Sequence, residues 1–268
     1  MEFVDFAQSH GLVIRELIPG RWVRTPTVDH PRSRNGAYKY LGDVGLVQNW
    51  ASQIIPSIWR PENREEVRIN PEAVLKRMTE EDKKREEGRR KASFKAQRIL
   101  DECQTKPHAY LKSKGFELDV GNVWEHGSQN ILVIPMRIGK NLVGAQLIDE
   151  SGQKKFLTGQ KTNDAAFTMG SGAPIFCEGY ATGLSIMKCL IALKTRHSVV
   201  ICFSAGNLVR LAKNGVVVAD NDASETGERV AKETGLKYWM SDRLGEDFND
   251  FHQRVGLFKA TQELRKIL

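Results

Sequence analysis

APIFCEGYATGLSIMKC (residues 173–189) and GVVVADNDASETGERVAKETG (residues 215–235) decide the fold of this chain. In each, a short apolar run ends abruptly in acid and passes at once into apolar residues at helical spacing. A brief run rich in Val, Ile and Phe predicts a buried strand, and the pattern behind it predicts a helix. Working outward, strands are expected at PIFC (174–177), SVVICFS (198–204), GVVVAD (215–220) and LKYWM (236–240). Helices are expected over 181–194, 206–213 and 226–235. Strands alternating with helices imply a parallel sheet joined by crossover helices, an α/β fold. In such sheets ligands bind beyond the carboxyl ends of the strands. Glu178 and Asp220 fall at those ends.

Asp220 and Asp222 are two residues apart, so in extended backbone their side chains point to one side and can face one metal ion. Crowded carboxylates repel unless a cation sits between them. Oxygen-only ligation without His or Cys favours Mg²⁺ or Mn²⁺ over zinc. Glu178 can serve as general base or further ligand. A third acidic group, GEDFNDFHQ, brings Asp247 and Asp250 after another short apolar strand. Any one of these acids, Asp222 or Glu225 above all, could equally cap a helix. Three acidic sites at successive strand ends favour a metal centre.

The 268 residues suffice for a core without covalent staples. Cys103, Cys177, Cys189 and Cys202 lack the Cys-x-x-Cys spacing of a zinc site, so no zinc is expected, and they read as reduced thiols of a reducing cytosol. No apolar run reaches the roughly 20 residues that cross a bilayer. The N-terminus has no basic segment followed by a hydrophobic one. No membrane partner and a cytoplasmic location are expected. The formal charge of +7 points toward a polyanionic partner, though many soluble proteins are mildly basic without one.

Upstream, residues 1–69 read as a small β-rich module, with Asn35-Gly36 as a hairpin-turn signal. Arg21, Arg24, Arg32, Arg34 and Lys39 are mixed there with Trp22, Tyr38, Tyr40 and Trp50. Such a mixture can hold phosphates and stack bases, and it can equally be the core of a small β domain. Residues 70–104 read as a charged helical linker, with Asn70 as N-cap and Pro71 at the first helical position. Residues 105–172 read as a second compact region. Its strands run through ILVIPMRIGKNLVGAQLIDESGQKKFLTGQK, with turns at Gly139-Lys140-Asn141 and Ser151-Gly152.

EGYATGLSI, SAGNL, VVVADNDASETGERVA and DFND together resemble the Toprim domain of primases, topoisomerases and some nucleases. That domain carries a glutamate after its first strand and an Asp-x-Asp after a later one, here Glu178 and Asp220/Asp222. The segment from AYLKSKGF to FLTG is similar to the one that precedes Toprim in bacterial-type primases of phages and plasmids. The resemblance implies an α/β Toprim domain with a parallel sheet flanked by helices over 173–268, preceded by a mixed α/β subdomain over 105–172 and the β-rich module. It implies catalytic Glu178, Asp220 and Asp222, and metal ligands among Glu178, Asp220, Asp222, Asp247 and Asp250. Arg137, Gln146, Lys154, Lys155 and Lys161 would form a nucleic-acid groove.

The implied activity is synthesis of short RNA primers on a single-stranded DNA template from ribonucleoside triphosphates. A replicative helicase or a single-strand-binding protein would be a further partner. A Toprim nuclease and a non-catalytic single-strand-binding module are the alternatives. No Gly-x-x-x-x-Gly-Lys-Ser/Thr loop accompanies the motifs, as it often does in Toprim nucleases, and no region supports a topoisomerase tyrosine. Primases of this kind commonly begin with a zinc ribbon. Residues 21–43 resemble its β scaffold without its cysteines, so this module either recognises template without metal or has another role.

Overall fold

A computed structural model describes residues 1–53, 55–61, 71–221 and 226–268; for 71–78, 81, 226, 230 and 231 it describes the backbone alone. Asn70, expected as an N-cap, and Asp222 and Glu225 lie outside the described residues. The chain divides into two compact units, Met1–Glu86 and Glu87–Leu268.

The first unit sets α1 (Phe3–Ser9) against an antiparallel meander of β1 (Trp22–Thr25), β2 (Gly36–Tyr40), β3 (Gly45–Asn49) and β4 (Ser57–Trp59). Phe3, Ala7 and Leu12 pack with Tyr38, Val47 and Trp59 to form its core. Asn35-Gly36 is not a hairpin turn. Gly36 opens β2 opposite Thr25 and Asn49, and the chain turns at Leu41–Val44 instead, with Gly42 at φ +95. Gly36 is needed for close approach, because a Cβ there would stand 2.9 Å from the Thr27 side chain and 3.0 Å from Leu12. Of the four aromatics, Tyr38 is core, whereas Trp22 and Trp50 are exposed and the Arg24 guanidinium sits 4.0 Å over the Trp50 ring.

The charged helix α2 (Pro71–Asp101) ends in an apolar stripe, Ala92, Ala96 and Ile99, at helical spacing. That stripe is buried against Trp124, Ile131, Val133, Ala145 and Leu157, so the end of the expected solvated linker is core. Next come β5 (Gln104–Lys106), α3 (Ala109–Ser113), β6 (Gly121–His126), β7 (Gln129–Ile138), β8 (Asn141–Ile148) and β9 (Lys154–Phe156), the strands forming one antiparallel sheet in sequential order. The β7–β8 turn falls at Gly139, φ +58, as its Gly-Lys-Asn sequence predicts.

The remainder alternates: β10 (Phe167–Gly170), β11 (Ala173–Cys177), α4 (Tyr180–Leu193), β12 (His197–Ile201), α5 (Ala205–Leu211), β13 (Val216–Ala219), α6 (Thr226–Thr234), β14 (Lys237–Met240) and α7 (Phe248–Arg265). The sheet order is β10-β12-β11-β13-β14, parallel throughout except for β10. This is the expected α/β fold. β11 thus lies between β12 on one side and β13 on the other, so the strand order reverses there, at the crevice where such sheets bind ligands. One core joins Val123, Leu132, Ile134, Met136 and Ile148 of the antiparallel sheet to β11, α4 and α7 of the parallel one. Among the described residues no helix is long and apolar enough to cross a membrane.

Candidate active site

Glu178 follows the last residue of β11, and Asp220 follows the last residue of β13. The two strands are neighbours, with Ile175 and Phe176 paired to Val216 and Val217, so both half-buried acids emerge at the same edge of the sheet. Close packing fixes each. Behind Glu178, α4 approaches the sheet so tightly that a Cβ on Gly183 would fall 2.7 Å from Ile201. Behind Asp220, α6 begins so near that a Cβ on Gly227 would fall 1.8 Å from the Asp220 carbonyl oxygen. Both glycines stand inside the motifs, and both serve close approach of a helix.

Asp247 caps α7, its carboxylate accepting the Asp250 N–H at 2.8 Å. The loop before it is tied to the Asp220 strand end: Asn221 and Glu246 form an isolated antiparallel bridge, and the Asn221 amide donates to the Ser241 carbonyl at 2.9 Å. Glu246 is locked in turn by Arg254, which donates to both its oxygens at 2.6 and 2.7 Å, and by the Ser241 hydroxyl. Asp250 pairs with Lys114 at 3.4 Å. Asp247 and Asp250 therefore stand in different roles, a cap and an ion pair.

Electrostatics report how closely the acids gather. The Cys177 thiol is pushed well above its usual range by burial, then by Cys202, Asp220, Asp247 and Glu178 in turn. Carboxylates from three loops thus act on one thiol through space. The Tyr110 hydroxyl is raised first by burial and then by Asp247, Tyr180 and Asp250. That hydroxyl is buried and has no hydrogen-bond partner among the described residues. Among the described residues no three His, Cys, Asp or Glu side chains form a ready metal site, and Asp222 lies outside them. The strand-end and helix-cap acids offer only carboxylate oxygens, a donor type that fits Mg²⁺.

The basic residues are spread more widely. β9 pairs with β8 so that Ile148 faces Lys154, Leu147 faces Lys155 and Gln146 faces Phe156. Ile148 belongs to the core shared with the parallel sheet and Leu147 packs toward α2, so Lys154 and Lys155 point to opposite faces. Lys154 is on the acid-centre side, its ammonium 5.9 Å from the Tyr110 ring centroid. Gln146 shares that face but is only 6 % exposed, beneath its cross-strand neighbour Phe156. The Arg137 guanidinium donates to the Lys140 carbonyl in its own hairpin turn, at 3.2 Å. Lys161 pairs with Asp164 at 3.8 Å.

Two further organising residues were not singled out from the sequence, although each stands inside a quoted motif, SAGNL or DFND. Asn207, in the first turn of α5, is 3 % exposed. Its amide donates to the carbonyls of Thr162 (2.7 Å), Ala165 and Cys202 (3.1 Å each), and its oxygen accepts the Asp164 N–H at 3.0 Å. Asn249, fully buried, donates to the Lys114 carbonyl and to the Ser185 hydroxyl, which also bonds His252 at 3.0 Å.

A family model of the Toprim domain matches residues 174–257, and a Toprim domain therefore occupies the C-terminal part of the chain. No curated protein and no solved structure matches the chain significantly. Toprim domains bind Mg²⁺ and process nucleic acid, so the strand-end acids lie in a domain of metal-dependent nucleic-acid chemistry.

Proposed function

We propose that this chain is a DNA primase that makes short RNA primers on single-stranded DNA from ribonucleoside triphosphates. The observation that carries the reading is a juxtaposition. The strand-end acids of the Toprim domain share one core with an antiparallel sheet whose edge strand turns Lys154 and an exposed aromatic, Phe156, to the same side. A nucleotidyl transferase needs acid to hold metal and a cationic, stacking surface to hold a strand.

In this reading Asp220, Asp222 and Asp247 hold Mg²⁺ or Mn²⁺, and Asp250, paired with Lys114, supports the loop. When bound, a divalent ion would lower the charge cost of attack on the triphosphate. Glu178 assists deprotonation of the primer 3′-hydroxyl or the geometry of the metal. As the oxygen–phosphorus bond forms, the proton leaves the hydroxyl and pyrophosphate departs. Lys154 binds template phosphate, with Arg137 and Lys161 extending the contact, while Lys155 on the opposite face and the buried Gln146 stay outside it. A replicative helicase or single-strand-binding protein would supply the exposed strand.

The test is incubation of the full chain with single-stranded template, four ribonucleotides and Mg²⁺ or Mn²⁺. New oligonucleotides in the wild type, reduced about 10²-fold or more in Glu178→Gln with DNA binding retained, are expected for loss of a general base. Shortening of the template without synthesis would replace this reading with a nuclease. DNA binding with neither reaction would make the chain a recruitment module.

A further inference from the structure

Phe156 is the last residue of an exposed three-residue edge strand, and 43 % of its surface is bare. Strand alternation sets it on the same face as Lys154. Its ring meets Phe203 edge-to-face, with centroids 6.3 Å apart and planes at 84°. Such a neighbour fixes a ring's orientation at little entropic cost while much of it stays open.

Phe203 is itself unusual. It follows β12 by two residues with φ +64, a left-handed conformation that a bulky side chain rarely adopts and that persists only where the surroundings over-determine it. Its N–H donates to the Glu178 carbonyl at 3.0 Å. One strained residue therefore joins the Phe156 ring to the strand end that carries Glu178. On the other side, the Lys154 ammonium lies over Tyr110, whose hydroxyl lies within the electrostatic reach of Asp247 and Asp250. An open aromatic ring and a cation two residues away thus share a face, and the ring's neighbour is bonded to the strand end that carries Glu178.

We propose that Phe156 is a stacking platform for one base of a single-stranded nucleic acid, with Lys154 holding an adjacent phosphate and Phe203 setting the ring beside the acid centre. The occupant is a nucleic acid because both halves of its repeating unit are matched, a π-face by the ring and a phosphate by the lysine. The contact reads no sequence, since every base offers a π-face. It rests on the proposed function only in taking a single strand as ligand.

The experiment compares binding of the full chain, in chelator without divalent metal, to a labelled oligothymidylate and to an abasic oligonucleotide of equal length. The abasic strand keeps the phosphates and loses the stack. Wild type should prefer the thymidylate by about 5- to 150-fold, the range of one base–aromatic contact. Phe156→Leu, which keeps apolar bulk at an exposed site, should bring the ratio close to one, Phe156→Trp should keep it, and Lys154→Ala should weaken both ligands alike. A ratio unchanged in Phe156→Leu overturns the proposal. So does a wild-type ratio near one, and primer synthesis by that same wild type would leave the function standing. Binding to neither strand would overturn both.

Discussion

Replacing Asn207 tests whether one buried amide holds the segment before the Toprim domain to α5. The side chain offers two N–H groups to three carbonyls and takes one N–H from Asp164, whose own backbone is left-handed at φ +66. Because the third carbonyl shares a hydrogen, three well-directed bonds are the fair count. At about 1 kcal/mol net for each, Asn207→Ala should cost about 3 kcal/mol. In a unit of this size that lowers the melting temperature by about 6–12 °C. Asn207→Asp gives the sharper result. It keeps the acceptor for Asp164 but turns a carboxylate oxygen toward three carbonyl oxygens, an uncompensated buried charge. At neutral pH it should be less stable than the alanine variant, and it should recover part of the loss in acid, where a protonated carboxyl can donate one bond. Urea and thermal unfolding of both variants measure this. An alanine variant within about 1 kcal/mol of wild type, or an aspartate variant more stable than alanine at pH 7, would refute the count of bonds.

Lys154→Ala should weaken single-strand binding and reduce the salt slope by about 0.7, whereas Lys155→Ala, on the opposite face, should leave the slope nearly unchanged; equal effects in salt titrations would contradict the face assignment. Gly227→Ala should gain helix propensity yet displace the Asp220 peptide, because the added Cβ would sit 1.8 Å from its carbonyl oxygen. A loss of activity of about 10²-fold with the fold retained by circular dichroism is expected from so small a misplacement, and full activity would show that the carbonyl is not fixed there. Alkaline pH should destabilise the fold. Burial raises Cys103 to about 11, Cys202 to about 12 and Tyr180 to about 12, so the folded chain holds neutral forms that the unfolded chain gives up. Stability is then complete below about pH 9 and declines as pH rises toward those values; a melting temperature constant from pH 8 to 11 would contradict it.

The strands and helices of the Toprim domain were legible because their periodicity is local: an apolar run, then apolar residues at helical spacing. Glu178 and Asp220 were legible as strand ends for the same reason, whereas Asp247, expected directly after a strand, lies well beyond β14 as the cap of α7. Strand order was not, because nothing in the sequence says that β13 returns to the far side of β11, and it is this neighbourhood that brings Glu178 and Asp220 to one edge. Asn35-Gly36 misled because its dipeptide is a turn signal, whereas Gly36 is glycine to let Thr27 and Leu12 close in from elsewhere. The apolar stripe of α2 was hidden among charges that cover the helix's other faces. The bonds of Asn207, though it stands inside SAGNL, and the setting of Phe156 depend mainly on residues far along the chain, to which no spacing points.

Crowded carboxylates need a physical reason to stay charged together, and the fold supplies part of it before any cation binds. Glu178 immediately precedes the Gly179 N-cap of α4, and Asp247 is itself the N-cap of α7, so two of the acids stand at positive helix ends. Each such placement stabilises a nearby anion by about 0.3–1 kcal/mol at an exposed surface. Asp220 has a different support, a strand end pinned by Asn221 to the loop that Arg254 and Glu246 lock. Helix ends therefore favour the charge of two acids, and rigid backbone fixes the third against the repulsion of the others.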